Sequence, residues 1–307
     1  MLMSNQVSVQ HFILTRFNLL LWNRDKEGQK VRSKEWLEHR FYLFEKYCLP
    51  SIIGQTCQSF EWIVLFDSTT PEKFKERIVE YQKKCPQLIP VYVRPERGRF
   101  FAQIFKDEVV KRVQGVQAIQ KVQDSSRICE LENPGSQLKV LTTYLDNDDA
   151  LHVHFVEDIQ RRAASLPDET FITYDSGYQF FTDHNYVMRI HFPRNHFMSV
   201  VESGESSMLK TIYGYGSHYY IEIIDGAKVE HVKNLPMWCE VIHEKNMGND
   251  AYFLNARMIG DGDLLRREFS LNEKLQSGTG LYLFRFLPRY LKTFVKRIGY
   301  FFFGRHW

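Results

Sequence analysis

The hydrophobic pattern of this chain switches repeatedly between two periods. Gln10–Thr15 reads as a short apolar strand that runs into Arg16, Phe17 and Asn18. After a polar stretch from Asn23 to Lys30, Ser33 stands where a helix cap is wanted. Trp36, Leu37, Phe41, Phe44 and Cys48 follow it at helical spacing. Pro50 is expected to end that helix. Phe60–Phe66 is almost continuously apolar, as a strand covered on both faces must be. Asp67 closes it, and Pro71 opens a helix expected to reach Lys84. Leu88–Arg94 gives a third strand, Phe100 to about Val122 a long helix, and Asp124–Gln137 a polar loop. Leu141–Leu145 is again β-prone, and a helix expected from Ala150 carries Leu151, Phe155, Ile159 and Ala163 on one stripe.

Strand and helix alternate throughout this half, which predicts an α/β fold: a Rossmann-like, mostly parallel sheet with right-handed crossovers and flanking helices. Ligands of such sheets bind beyond the carboxyl ends of the strands. Beyond Phe171 the rhythm changes. Thr170–Phe181 and Tyr186–Phe192 read as strands around a turn, and Gly204, Gly214 and Gly216 punctuate a loop-rich stretch. Tyr219–Ile224 and Val229–Val232 are expected to form a hairpin about Asp225-Gly226, a favoured tight turn.

Composition narrows the classes. No run of about twenty uncharged apolar residues appears, so a spanning helix is not expected. Met1–Gln10 lacks the basic and apolar regions of a secretory signal, which points to the cytoplasm. Cys48, Cys57, Cys85, Cys129 and Cys239 are scattered without a CxxC pair, as reduced thiols would be, and a metal here is expected to be oxygen-bound. The formal charge of +3 is unevenly spread. Residues 281–307 carry Arg285, Arg289, Lys292, Lys296, Arg297 and Arg305 with no acid, and taking these from the 40 Lys and Arg leaves 34 against 37 acids. The remaining domain is slightly acidic, which excludes a general nucleic-acid surface.

The chemistry concentrates in Asp146-Asn147-Asp148-Asp149, directly after a buried strand. In extended backbone alternate side chains share a face, so Asp146 and Asp148 are expected together, with Asn147 opposite. Paired hard oxygen ligands at a strand end suit Mg²⁺ or Mn²⁺ that also holds phosphate oxygens. The competing reading is a helix N-cap, for which one Asp suffices. Asp67, at another strand end of the same sheet, either shares that cleft or caps its own turn.

The order of these segments resembles a known superfamily. Pro50-Ser-Ile-Ile-Gly-Gln-Thr-Cys-Gln-Ser-Phe-Glu-Trp-Ile-Val-Leu-Phe-Asp67 and Leu145-Asp-Asn-Asp-Asp-Ala-Leu-His152 are similar to runs of GT-A glycosyltransferases. Arg16-Phe17-Asn18, Phe66-Asp67 with Pro71, and Pro236–His243 with Asn246 resemble the rhamnosyltransferase group more specifically. The resemblance spans about residues 10 to 250. It implies a GT-A-like fold and transfer of a sugar from a nucleotide-diphosphate donor, such as dTDP-rhamnose, to a hydroxyl of a glycan or lipid-linked acceptor. It also implies that Phe17, Asn18 and Asp67 lie near the nucleotide. Asp146 and Asp148 then match the DxD pair that meets the diphosphate through Mg²⁺ or Mn²⁺. His243 matches a third contact to the metal or diphosphate, against a structural role at a strand end. Arg97 and Arg99 are either solvated or compensate the diphosphate charge. An inverting transfer needs a base, for which Glu202 is the choice. Asp149 is divided between helix cap and catalytic neighbour.

The expected layout is a GT-A domain over 1–250, with a nucleotide-sugar half at about 10–150 and an acceptor half at about 151–250. A connecting segment at 251–280 and a basic aromatic tail at 281–307 follow. An amphipathic helix in that tail suits an anionic membrane surface, placing the enzyme at the inner face of the cell membrane; the alternative is a helix packed on the domain. Two rivals differ in class. A sugar-nucleotide nucleotidyltransferase expects a glycine-rich loop after the first strand, and Thr15–Leu19 has no glycine. A non-catalytic membrane module would not need Asp146 and Asp148.

Overall fold

A computed structural model describes residues 7–21, 33–126, 138–183, 185–205, 208–224, 226–243, 256–275 and 295, with backbone alone over 119–126. Strands β1 (Ser8–Arg16), β2 (Glu61–Asp67), β3 (Leu88–Val93) and β4 (Leu138–Tyr144) form the parallel part of one sheet, with β1 between β4 and β2. Helices α1 (Lys34–Leu43), α2 (Leu49–Ile53), α3 (Glu72–Lys84) and α4 (Phe101–Ser126) connect them. β2 shows why its run is continuously apolar. Trp62, Val64 and Phe66 join Phe41, Phe44, Phe74 and Ile78 of the α1 and α3 layer. Ile63 and Leu65 join Ile104, Phe105 and Val109 of α4 on the other face.

The second half extends this sheet with mixed pairing. Strand β5 (Ala150–Leu151) and helix α5 (Phe155–Ser165) precede β6 (Thr170–Phe181), β7 (Tyr186–His191) and β8 (Ser199–Ser203). β8 is antiparallel to both β4 and β6, and β7 is the hairpin partner of β6. The long β9 (Lys228–Ile242) lies parallel to β6, and β5 pairs with it. Gly177 leaves room for a β9 side chain: a Cβ there would lie 2.1 Å from the Trp238 ring. Residues 256–275 supply β10 (Arg257–Ile259), paired with β7, and α6 (Leu264–Phe269), whose Leu264, Leu265 and Phe269 pack with Phe180, Val187 and Val241.

Three local expectations are corrected. Pro50 does not end the first helix. A π-helical turn at Phe44–Cys48 carries α1 into α2, with Pro50 in the first turn of α2. The helix after the acidic run starts at Phe155, because Ala150 and Leu151 are extended against Cys239 and Trp238. The hairpin about Asp225-Gly226 is absent: His218–Ile223 is a 3-10 segment, and β9 pairs with β6, whereas a hairpin requires antiparallel neighbours. Asp225 itself and the tail 281–307, apart from Val295, lie outside the described residues. Among the described residues no helix is long and apolar enough to cross a membrane.

Candidate active site

Because β1, β2 and β4 are parallel, Arg16, Asp67 and the acidic run emerge at one edge of the sheet. Past Tyr144 the chain turns instead of continuing as strand, with Asp149 N donating to Asp146 O at 3.4 Å. The Asn147 amide fixes the turn by donating to the carbonyls of Arg16 (3.1 Å) and Phe17 (2.7 Å). Alternation of faces holds only in extended backbone. The turn therefore separates Asp148 from Asp146 and brings Asp149 to it instead.

Ligand atoms of Asp146, Asp149 and His196 lie within 4.8 Å of one another. His196 Nε2 is 2.8 Å from Asp149 Oδ2 and 4.0 Å from Asp146 Oδ2. Asp149 is fully buried and accepts the Val241 N–H on its other oxygen at 2.8 Å. It caps no helix; His154 stands at the N-cap of α5. Burial pushes the Asp149 carboxyl up to about 6, against the pull of the His196 hydrogen bond. Burial opposes charge on His196 as well, but the bond to Asp149 and its charge lift the imidazole to about 9. Glu240, next to Val241, is driven up to about 7 by burial, against the His196 charge and the Gln179 hydrogen bond. Asp146, with its side chain 31% exposed, is the member that faces outward.

Asp146 is oriented from behind. The Arg16 guanidinium sits over the rings of Phe101, Tyr213 and Tyr144 at 4.8, 5.2 and 5.4 Å. Its Nη2 donates to the Tyr144 hydroxyl at 2.5 Å. A guanidinium cannot accept, so the Tyr144 proton is left for Asp146 Oδ1, 2.8 Å away. Oδ1 is thereby engaged, and Oδ2 is the oxygen nearest His196.

Asp148 belongs to a different group. Its Oδ2 receives Arg40 Nη1 at 2.9 Å and His243 Nε2 at 2.9 Å. Burial alone would raise this carboxyl, but the Arg40 charge and the His243 bond hold it well below the usual carboxylate range. His243 thus meets the acidic run, at Asp148 and not at Asp146. Phe17 is a core residue, its ring packed 4.6 to 5.1 Å from those of Phe41, Phe66 and Phe44.

Asp67 is fully buried and receives Thr69 N on Oδ1 at 2.8 Å, while its own N–H goes to Asn18 Oδ1 at 2.9 Å. Asn18 Nδ2 in turn donates to Thr70 Oγ1 at 2.9 Å. This network backs a cavity of about 580 Å³ lined by Asn18, Lys34, Thr69, Thr70, Lys73 and Phe74. Arg97 and Arg99 lie elsewhere on the surface. Arg97 lines a separate cavity of about 260 Å³ with Tyr92 and Asp107, and Arg99 stacks on Phe100 at 4.7 Å.

Glu202 is also away from the cluster. It pairs with Val140, toward the beginning of β4, and its carboxylate is consumed by Lys210 N (2.8 Å), Thr211 N (3.0 Å) and the Tyr215 hydroxyl (3.2 Å). That is an anchor for the 210–215 loop, not a base beside a reacting hydroxyl.

A family model described as "Putative rhamnosyl transferase" matches residues 10–252. The chain belongs to that family. Structures similar to this rhamnosyltransferase-family chain include S. aureus TarS, at 10% identity and TM-score 0.34, over 76% of this chain and 37% of that one. They also include TarS 1–349 (9% identity, TM-score 0.37) and TarS 1–349 in complex with UDP (9%, 0.36), each over 76% of this chain and 60% of the other. The chain thus spans between 37% and 60% of the TarS chains it matches. No curated protein gives a match.

Within this glycosyltransferase-family fold, sequence reading missed His196, Arg40, Tyr144 and Glu240. His196 is a single histidine in a loop with no periodicity around it. Arg16 lies within one recognised motif and Tyr144 borders another, but only the parallel β1–β4 register sets them side by side.

Proposed function

We propose that this glycosyltransferase moves a sugar, rhamnose in our reading, from a nucleoside-diphosphate donor to a hydroxyl of a glycan or glycolipid. The observation that carries the proposal is the convergence of Asp146, Asp149 and His196 beyond the C-terminal end of β4. Two carboxylates and an imidazole, one carboxylate facing outward, fit a divalent cation, and the nitrogen donor favours Mn²⁺ over Mg²⁺. When bound, such a cation neutralises charge on the departing diphosphate.

The chain's own residues do the rest. Arg16 contributes a fixed positive charge at the same edge, and Tyr144 orients Asp146. Asn18, Thr69 and Thr70, held by Asp67, offer hydrogen-bonding groups in a cavity of about 580 Å³, a volume suited to a nucleoside. The basic aromatic stretch at 281–307 supports docking at an anionic membrane surface on the cytoplasmic side.

A panel of UDP-, GDP- and dTDP-linked sugars, including dTDP-rhamnose, tests this with and without Mn²⁺. Hydrolysis of one donor together with cation-dependent thermal stabilisation by its nucleotide is expected. Stabilisation by no nucleotide, or equally well in EDTA, would contradict the proposal.

A further inference from the structure

The 3-10 segment His218–Ile223 carries a dense group of exposed rings and apolar side chains. Tyr219 is 46% exposed, Tyr220 63% and Ile223 71%. This strip begins at the cluster. The His218 ring lies 6.0 Å from that of His196, and the Tyr219 ring lies 4.0 Å beyond His218. Its outer side is pinned by charges: Arg194 to Glu222 at 2.8 Å, Glu222 to His231 at 3.6 Å, and His231 to Asp175 at 2.7 Å.

We propose that this strip is the acceptor site and that it takes a saccharide chain, a reading that rests on the function proposed above. Sugar rings present C–H faces edged by hydroxyls. Tyrosine offers the matching rigid, amphipathic area at low entropic cost. Glu222, His231 and Arg194 set donors and acceptors alongside the rings, as a polyhydroxyl ligand needs and an aliphatic helix groove does not. Continuity with Asp146, Asp149 and His196 fixes the direction: the end of the glycan that receives the sugar points at His218, and the chain trails over Tyr219 and Tyr220.

The test applies the full chain to a panel of immobilised neutral oligosaccharides built of rhamnose, glucose and galactose. Wild-type protein is expected to retain at least one member. The double variant Tyr219→Ala, Tyr220→Ala should bind it at least about tenfold more weakly. Tyr92→Ala, similarly exposed but on β3 at the far edge of the sheet, should bind like wild type. Stabilisation by UDP or dTDP with Mn²⁺ should be the same in all three proteins. No retained saccharide, or undiminished binding by the double variant, overturns the assignment. So does concentration-dependent self-association that the double variant abolishes, since the strip would then be an interface between copies. The nucleotide arm reports separately on the donor: its failure in the wild type overturns the proposed function, and the acceptor role with it.

Discussion

Between Ser8 and Tyr144 each of the first three strands is followed by a helix that packs back on the parallel sheet. Between Thr170 and Ile242 the strands pair across long stretches of chain, as when Thr170 at the start of β6 meets Lys228 at the start of β9. Carboxylates are used differently in the two halves. The first sends Asp67, Asp146, Asp148 and Asp149 to one edge, where cations and N–H groups compete for them. The second spends Glu202 and Asp175 on holding loops and strands in place. An acid's burial and partners, more than its presence in a cleft-bearing half, decide what it can do.

Removing a charge from the first half should have the largest effect. Asp148→Asn leaves Arg40 mostly buried without its ionic partner, and a loss of about 3–5 kcal/mol in urea unfolding is expected. A loss below about 1 kcal/mol, the range of exposed pairs, would show that Asp148 is free for a ligand after all. Glu202→Ala comes next. Stranding the N–H groups of Lys210 and Thr211 should cost about 2–3 kcal/mol while nucleotide binding is unchanged. Lost sugar transfer at unchanged stability would return Glu202 to the role of base.

A third effect, felt only in acid, concerns His11, buried on β1 with Nε2 2.8 Å from Thr143 Oγ1. Burial lowers its imidazole to about 3 from the ordinary 6.5. The unfolded chain therefore binds a proton that the folded one refuses. Stability from this group is whole above pH 6.5 and falls by about 1.4 kcal/mol per unit as pH drops toward 3. His11→Gln should flatten the unfolding free energy against pH over that window; an unchanged slope would place the acid sensitivity elsewhere.

The parallel half was legible because each of its decisions is local. The run Phe60–Phe66 shows by itself that both its faces are covered, and Asp67 marks the strand's end. The acidic run was found for the same reason, but its internal geometry was not. Pairing Asp146 with Asp148 assumed extended backbone, and the turn is set by Asn147 binding the carbonyls of Arg16 and Phe17, far away in sequence. The motif points to Phe17 as a ligand contact, whereas Phe41, Phe44 and Phe66 pack against its ring. His196 left no signal, since a loop histidine gains meaning only from what the fold places beside it. The hairpin about Asp225-Gly226 rested on a real turn preference that the long-range β6–β9 pairing overrode.

In the proposed site a cation is held by Asp146, Asp149 and His196 and not by the Asp146–Asp148 pair. Mn²⁺ binding followed by electron paramagnetic resonance, in the presence of UDP and below the melting temperature of every protein used, tests it most directly. Tight binding to wild type is expected, with a loss of at least about tenfold in Asp146→Asn and His196→Ala and near-wild-type affinity in folded Asp148→Asn. Binding that survives His196→Ala and disappears in Asp148→Asn would contradict it.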